Sequence, residues 1–148
     1  MSTLKDMLSI FQSFIPGPRL IDGGELLQFA NNQYSVAIGI TALAGGGQAG
    51  ATPLSAAFNR VDTVATNSDS VALPQAIPGN KVTVYNNTGQ TLAVFGQVLN
   101  PVTGVGDTIA AIANNTQQPT ATGVTQATAV ETTYTCYVAG QWKQGALT

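Results

Sequence analysis

The first eighteen residues show the hydrophobic spacing of an amphipathic helix. Thr3, with Asp6 three positions later, is similar to a capping box, and Pro16-Gly17-Pro18 ends the pattern. Between them, large apolar residues recur at intervals of three and four and form one stripe. The stripe consists of Leu4, Met7, Leu8, Phe11, Phe14 and Ile15. The spacing therefore predicts a short helical arm over residues 1–18.

The apolar stripe of this arm has two interpretations. It packs onto its own domain, or it docks on another subunit or a larger assembly, because so short a helix is marginally stable alone. In the second interpretation its six apolar side chains are the interaction site. The sequence leaves both open.

From Tyr34 onward the polar and apolar positions indicate short strands separated by turn residues. The turn at 86–89 predicts a hairpin that joins a strand at 81–85 to one at 91–95. Residues 114–126 are polar and predict a long surface loop, and no internal repeat of fixed period is apparent. The remaining predicted strands are 35–42, 59–65, 70–73, 107–112 and 127–138. This pattern predicts a mainly β fold, a single antiparallel β-sandwich over residues 19–148, of which the jelly roll is one form.

Charged residues are scarce in the whole chain. Only 8% of the 148 residues are charged, and five basic residues are spread along the sequence, whereas soluble domains carry about 25%. Five dispersed cations form no patch for nucleic acid. No apolar run approaches the roughly 18 residues of a membrane span. A surface so poor in charge favours self-association, and we expect a homo-oligomer, with a trimer preferred over a dimer.

The side chains that usually carry catalysis are few. The chain has no His, which removes the commonest general base and metal ligand. Cys136 lies in a predicted strand and is expected to be a buried structural thiol. Asp62 and Asp69 flank one predicted turn and could approach each other as a carboxylate pair, but an ion pair between Arg60 and Asp62 is at least as well supported. The leading interpretation is that these carboxylates are solvated at the surface. We expect no enzyme activity and no metal or organic cofactor.

Several short runs of small, polar and β-branched residues share one style. They are GITA at 39–42, GGGQA at 45–49, ATPL at 51–54, NRVDTVA at 59–65, DSVALP at 69–74, VTVYNN at 82–87 and YTCYVAGQW at 134–142. Together they cover roughly residues 36–143 and resemble structural proteins of tailed bacteriophages. The similarity is greatest to capsid decoration (cement) proteins and to head-fibre or tail-fibre modules.

This resemblance implies a virion structural protein, a β-sandwich without cofactor or catalysis. The first function that it implies is binding and reinforcing the capsid surface, with the major capsid protein or another virion protein as partner. The alternative is a virion-attached module that recognises a host glycan or receptor. In either case the chain, which has one Cys and no signal-peptide pattern, is expected to be made in the host cytoplasm and to act on the virion.

Overall fold

The fold is mainly β in the part of the chain that the structure, a computed structural model, describes: residues 35–111, 119 and 121–145. No helix occurs among these residues. The predicted helical arm over residues 1–18 lies outside them. The strands in chain order are β1 (Val36–Thr41), β2 (Thr52–Pro53), β3 (Phe58–Thr63), β4 (Asp69–Ala72), β5 (Lys81–Asn86), β6 (Leu92–Phe95), β7 (Thr108–Ala110), β8 (Val124–Gln126), β9 (Val130–Val138) and β10 (Gln141–Gln144).

The strands form two mixed sheets. The six-stranded sheet has the order β1-β3-β5-β9-β10-β7, and the four-stranded sheet has the order β2-β4-β6-β8. Up to β9 the chain alternates between the two sheets, so β1, β3 and β5 stack in parallel in one sheet while β2, β4 and β6 stack in parallel in the other. The path is therefore a stack of coils, each of which contributes one strand to each sheet.

Neighbouring coils pair residues that lie 19 to 25 positions apart, from Thr52 with Val71 to Phe58 with Thr83. Side chains at the turns also join neighbouring coils, and they bond to residues 24 positions away in the sequence. Asn67 Oδ1 accepts from the Thr91 amide at 2.9 Å, and Gln97 Nε2 donates to the Leu73 carbonyl at 2.6 Å. The spacing between paired residues varies from coil to coil and the joining side chains differ, so the coils leave no internal repeat of fixed period in the sequence.

The prediction of a mainly antiparallel fold was wrong. Among the described strands, five pairings are parallel and three are antiparallel. The antiparallel strands cover one end of the stack, where β9 lies beside β5 and β8 beside β6. β8 falls within the stretch 114–126, which was predicted to be loop, so that prediction was wrong for residues 124–126.

The predicted hairpin between 81–85 and 91–95 does not form, because β5 and β6 belong to different sheets. The turn itself exists, but it is a corner: Asn86 is fully buried and its Nδ2 donates to the carbonyls of Gln90 and Ala127. None of residues 86–89 has the positive φ that a two-residue hairpin turn requires. The corner therefore sends the chain into the second sheet.

One hydrophobic core is shared by the two sheets. Val61 and Val84 of the six-stranded sheet and Val71 and Val94 of the four-stranded sheet are fully buried in the same cluster. Trp142 on β10 is also fully buried there. This core fixes the strand ends from which the exposed loops project.

Candidate interaction surfaces

The loop between β6 and β7 exposes an unusual number of large aliphatic side chains. Val98 is 59% exposed, Leu99 63%, Val102 71% and Val105 60%. Single exposed apolar residues are normal, but a concentration of them marks an interaction surface. We call residues 97–107 the apolar loop.

The apolar loop is held from within by Asn100, which is fully buried. Its Oδ1 accepts from Gln75 Nε2 at 3.0 Å and from the Val102 amide at 2.9 Å. Its Nδ2 donates to Asp107 Oδ1 at 2.7 Å and to the Ala76 carbonyl at 3.3 Å. Its backbone N–H also donates to the Val105 carbonyl at 2.8 Å. The Asn100 side chain thus joins residues of the loop to each other and joins the loop to Gln75 and Ala76 of the preceding coil.

Asp107 closes the base of the apolar loop. Its Oδ2 accepts from the Ala76 amide at 2.8 Å, and its own amide donates to the Gln97 carbonyl at 2.8 Å. A Cβ atom added at Gly96 would come within 2.7 Å of the Asp107 side chain and carbonyl, so only glycine allows this approach. The two ends of the loop are therefore in close contact, and hydrogen bonds hold the backbone that carries its exposed side chains.

Two further segments meet the apolar loop at the same end of the fold. The Gly140 amide donates to the Ala76 carbonyl at 3.1 Å, and Gly140 also lies against Thr103 of the loop. These segments expose Ile77, Tyr137 and Val138, which are 47%, 71% and 55% exposed. We call these three residues, together with Val98, Leu99, Val102 and Val105, the apolar loop cluster. Within residues 75–80, 97–107 and 136–141 the one charged side chain is Asp107, which is buried.

A second apolar surface lies on the outer face of the six-stranded sheet. Strand register places Val36 beside Phe58, and Arg60 beside Tyr85, which is in turn beside Glu131. These side chains and Ile38 line an open groove of about 260 Å³. Val36, Ile38 and Phe58 are 67%, 66% and 44% exposed. We call this surface the sheet-face groove.

The charges near this groove are partly paired. Arg60 Nε lies 2.9 Å from Asp62 Oδ1, so the ion pair anticipated from the sequence forms. The Asn87 amide is the main cause of the lowered pKa of Asp62, and the Gly39 backbone N–H and the Arg60 guanidinium lower it further. This exposed pair contributes little to stability by itself.

Asp69 is buried at the start of β4, so the surface position expected from the sequence was wrong for this residue, and its carboxylate is surrounded by donors. Its carboxylate accepts from the Thr66 amide at 3.0 Å, from the Thr66 hydroxyl at 2.7 Å, from the Ala65 amide at 2.8 Å and from the Gly45 amide at 3.0 Å. The Thr66 bonds are the largest cause of the lowered pKa of this carboxyl group, and the Gly45 and Ala65 amides add to them. Asp69 therefore joins two coils as an ionised hydrogen-bond acceptor.

We expect stability to fall in acid because of these bonds. A carboxyl group whose pKa is lowered by folding stabilises the fold above its unfolded pKa of about 3.9, and this contribution is lost as the pH falls through the folded value. The melting temperature of the wild type should thus decline below about pH 4. Asp69→Asn should melt several degrees lower at pH 7 and show a shallower acid decline, as measured by thermal unfolding from pH 3 to 7. Parallel curves for the two proteins would contradict the role of Asp69.

The carboxylate pair considered from the sequence has no support in this geometry. Asp62 and Asp69 each accept hydrogen bonds from their own set of donors, and both pKa values are lowered, whereas a general acid needs a raised one. Cys136 is buried as expected, and burial is the main cause of its raised pKa. Among the described residues, no group of three or more acidic or Cys side chains could hold a metal ion.

The interaction residues predicted from the sequence, Leu4, Met7, Leu8, Phe11, Phe14 and Ile15, lie outside the described residues. The apolar loop cluster was missed. Its signal was Val98, Leu99, Val102 and Val105 around Asn100-Pro101, a run too apolar for an ordinary surface turn. Tyr134 and Trp142 are buried and Tyr137 is exposed, so these three rings do not form one exposed aromatic face.

No helix in the part of the chain that the structure describes is long and apolar enough to span a membrane. Comparison of the chain with protein-family models, with curated proteins and with solved structures gives no match.

Proposed function

We propose that the protein is a virion structural protein that binds and reinforces the capsid surface. The observation that carries the proposal is the apolar loop cluster: seven exposed, uncharged side chains, four of them on the loop that Asn100 and Asp107 hold by buried hydrogen bonds. A loop that needed only to connect two strands would not require these bonds. The resemblance of residues 36–143 to decoration proteins of tailed bacteriophages supplies the partner class, the major capsid protein or another virion protein.

The size of the cluster supports stable attachment. Burying one large apolar side chain contributes roughly 1.5–3 kcal/mol. Seven partly exposed side chains can therefore supply on the order of 10 kcal/mol before the cost of association is subtracted. Because the loop is already fixed in the free protein, little of this free energy is spent on ordering it. Several copies on one particle would add effective concentration.

We also propose that the protein has no enzyme activity and does not bind nucleic acid. The lowered pKa values of Asp62 and Asp69 do not suit a general acid, and the Cys136 thiol is buried away from a substrate. Among the described residues the cations are Arg60, Lys81 and Lys143, and Arg60 is paired with Asp62. The two sheets around one core provide the rigid two-layer body, related in outline to a β-sandwich, that a reinforcing protein needs.

The second candidate is a virion-attached module that recognises a host glycan or receptor. Tyr137 favours it, because an exposed aromatic ring beside projecting loops can stack on a sugar. Sugar binding usually adds charged hydrogen-bonding groups to such a ring, and within residues 75–80, 97–107 and 136–141 the one charged side chain, Asp107, is buried. For this reason we place the capsid role first.

We expect Val102→Asp to weaken capsid binding by at least about tenfold, because a carboxylate at a desolvated contact costs more than 1.4 kcal/mol. The measurement is co-sedimentation of the purified protein with capsids assembled from the major capsid protein of the same genome. Thr125→Asp, an exposed β-branched position on β8, is the matched control and should bind as the wild type does. Failure of the wild type to co-sediment, together with binding to host cells, would replace the capsid role with the second candidate.

A further inference from the structure

We propose that the sheet-face groove is the receptor for the N-terminal arm, residues 1–18, of a neighbouring copy of this chain. This inference goes beyond the capsid role, because it assigns a self-association site on a different surface from the apolar loop cluster. The groove has an apolar end formed by Val36, Ile38 and Phe58. The arm has the complementary feature in its sequence, a stripe of six large apolar residues.

The dimensions of the groove suit a helix. It extends across four neighbouring strands, β1, β3, β5 and β9, and strands about 4.8 Å apart give a width of roughly 14 Å. A helix with its side chains is about 10–12 Å across. The open volume of about 260 Å³ accommodates one large side chain such as that of Phe11 or Phe14. An amphipathic helix on an apolar groove is a common recognition mode.

The charges at the two surfaces are compatible. Arg60 and Glu131 line the groove, and the arm carries Lys5 and Asp6. Because Arg60 is already paired with Asp62 beside the groove, Glu131 is the charge that Lys5 of the arm can face, and neither surface carries a large charge of one sign. Glu131 in particular is exposed and lies at the end of the groove away from Val36 and Ile38.

The position of the arm in the chain favours a neighbouring copy. The Ser35 carbonyl accepts from the Phe58 amide at 3.0 Å, and its hydroxyl accepts from the Ala57 amide at 3.0 Å, so the described chain begins at the edge of the groove. Residues 19–34 can span up to about 55 Å when extended, more than the diameter expected for a domain of this size. This length is sufficient for the arm of one copy to reach the groove of a second copy.

The test is sedimentation velocity of the full chain and of three full-length variants. We expect the wild type to associate, and Phe11→Asp in the arm and Ile38→Asp in the groove to weaken association at least about tenfold. Val102→Asp, which alters the apolar loop cluster, is the control and should associate as the wild type does. Thermal unfolding of each variant establishes that the fold is intact, and Val36→Lys replaces Ile38→Asp if that variant melts early.

A mixing experiment distinguishes exchange between copies from docking within one copy. Phe11→Asp retains an intact groove and Ile38→Asp retains an intact arm, so their equimolar mixture should form a heterodimer although neither associates alone. A wild type that stays monomeric at all concentrations, or a mixture that stays monomeric, would overturn the inference. Association that persists in both variants would equally overturn it. Capsid binding through Val102 is measured separately, and its failure would leave this result unaffected.

Discussion

Trp142→Ala should lower the free energy of unfolding by about 3–5 kcal/mol, which is a large part of the 5–15 kcal/mol that stabilises a typical domain. Trp142 is fully buried in the middle of β10. It pairs with Cys136 of β9 on one side and with Ile109 of β7 on the other. Removing the indole leaves a cavity where three strands meet, and the surrounding backbone cannot collapse into it without disrupting this end of the sheet.

Denaturant unfolding measures this loss. Lys143→Ala is the matched control, since Lys143 is the next residue of β10 and is exposed. It should change the free energy of unfolding by no more than about 0.5 kcal/mol. If Trp142→Ala costs less than about 1 kcal/mol, the shared core is not the main source of stability.

Asn100→Ala should affect both stability and binding. It removes four side-chain hydrogen bonds and leaves buried groups of Asp107 and Ala76 without their Asn100 partner. We expect a loss of about 2–3 kcal/mol in the free energy of unfolding. Because the apolar loop loses its internal anchor, capsid binding should also weaken, although none of the exposed apolar side chains has been changed.

Asn87→Ala provides the control for this effect. Asn87 is exposed, and its side chain donates to Asp62 at 2.7 Å at a corner distant in sequence from the loop. The Asn87→Ala variant should bind capsids as the wild type does. Full binding by Asn100→Ala, at a temperature where it is folded, would show that the Asn100 hydrogen bonds are unnecessary and that the exposed side chains act without them.

The sequence predicted the β class and most strand positions, because alternation and turn residues are local signals. The predicted strand at 81–85 forms as β5, and its alternating residues Val82 and Val84 are both buried. Strand partners were predicted poorly. The parallel pairing of Phe58 with Thr83 or Thr52 with Val71 depends on the path of the whole coil, and nothing within a few residues of either strand indicates it. The corner at 86–89 looked like a hairpin because turn residues alone do not specify the backbone conformation that a hairpin requires.

The candidate interaction sites likewise differ in whether a local pattern or tertiary contacts define them. The arm was identified from helical periodicity, which needs no tertiary information. The apolar loop cluster depends on tertiary contacts: Asn100 and Asp107 are polar residues in a loop, and their burial follows from bonds to Gln75 and Ala76 in the preceding coil. Ile77, Tyr137 and Val138 join the cluster only through backbone bonds between segments distant in the chain. A polar anchor beneath an apolar loop has no signature in the sequence alone.

The most direct test of the capsid role is a cryo-electron microscopy map of capsids carrying this protein, at a resolution that traces β-strands. The account predicts that residues 97–107, with Ile77, Tyr137 and Val138, lie against the capsid protein, with their aliphatic side chains removed from solvent. A map in which the apolar loop cluster points into solvent while another face of the domain contacts the capsid would contradict it.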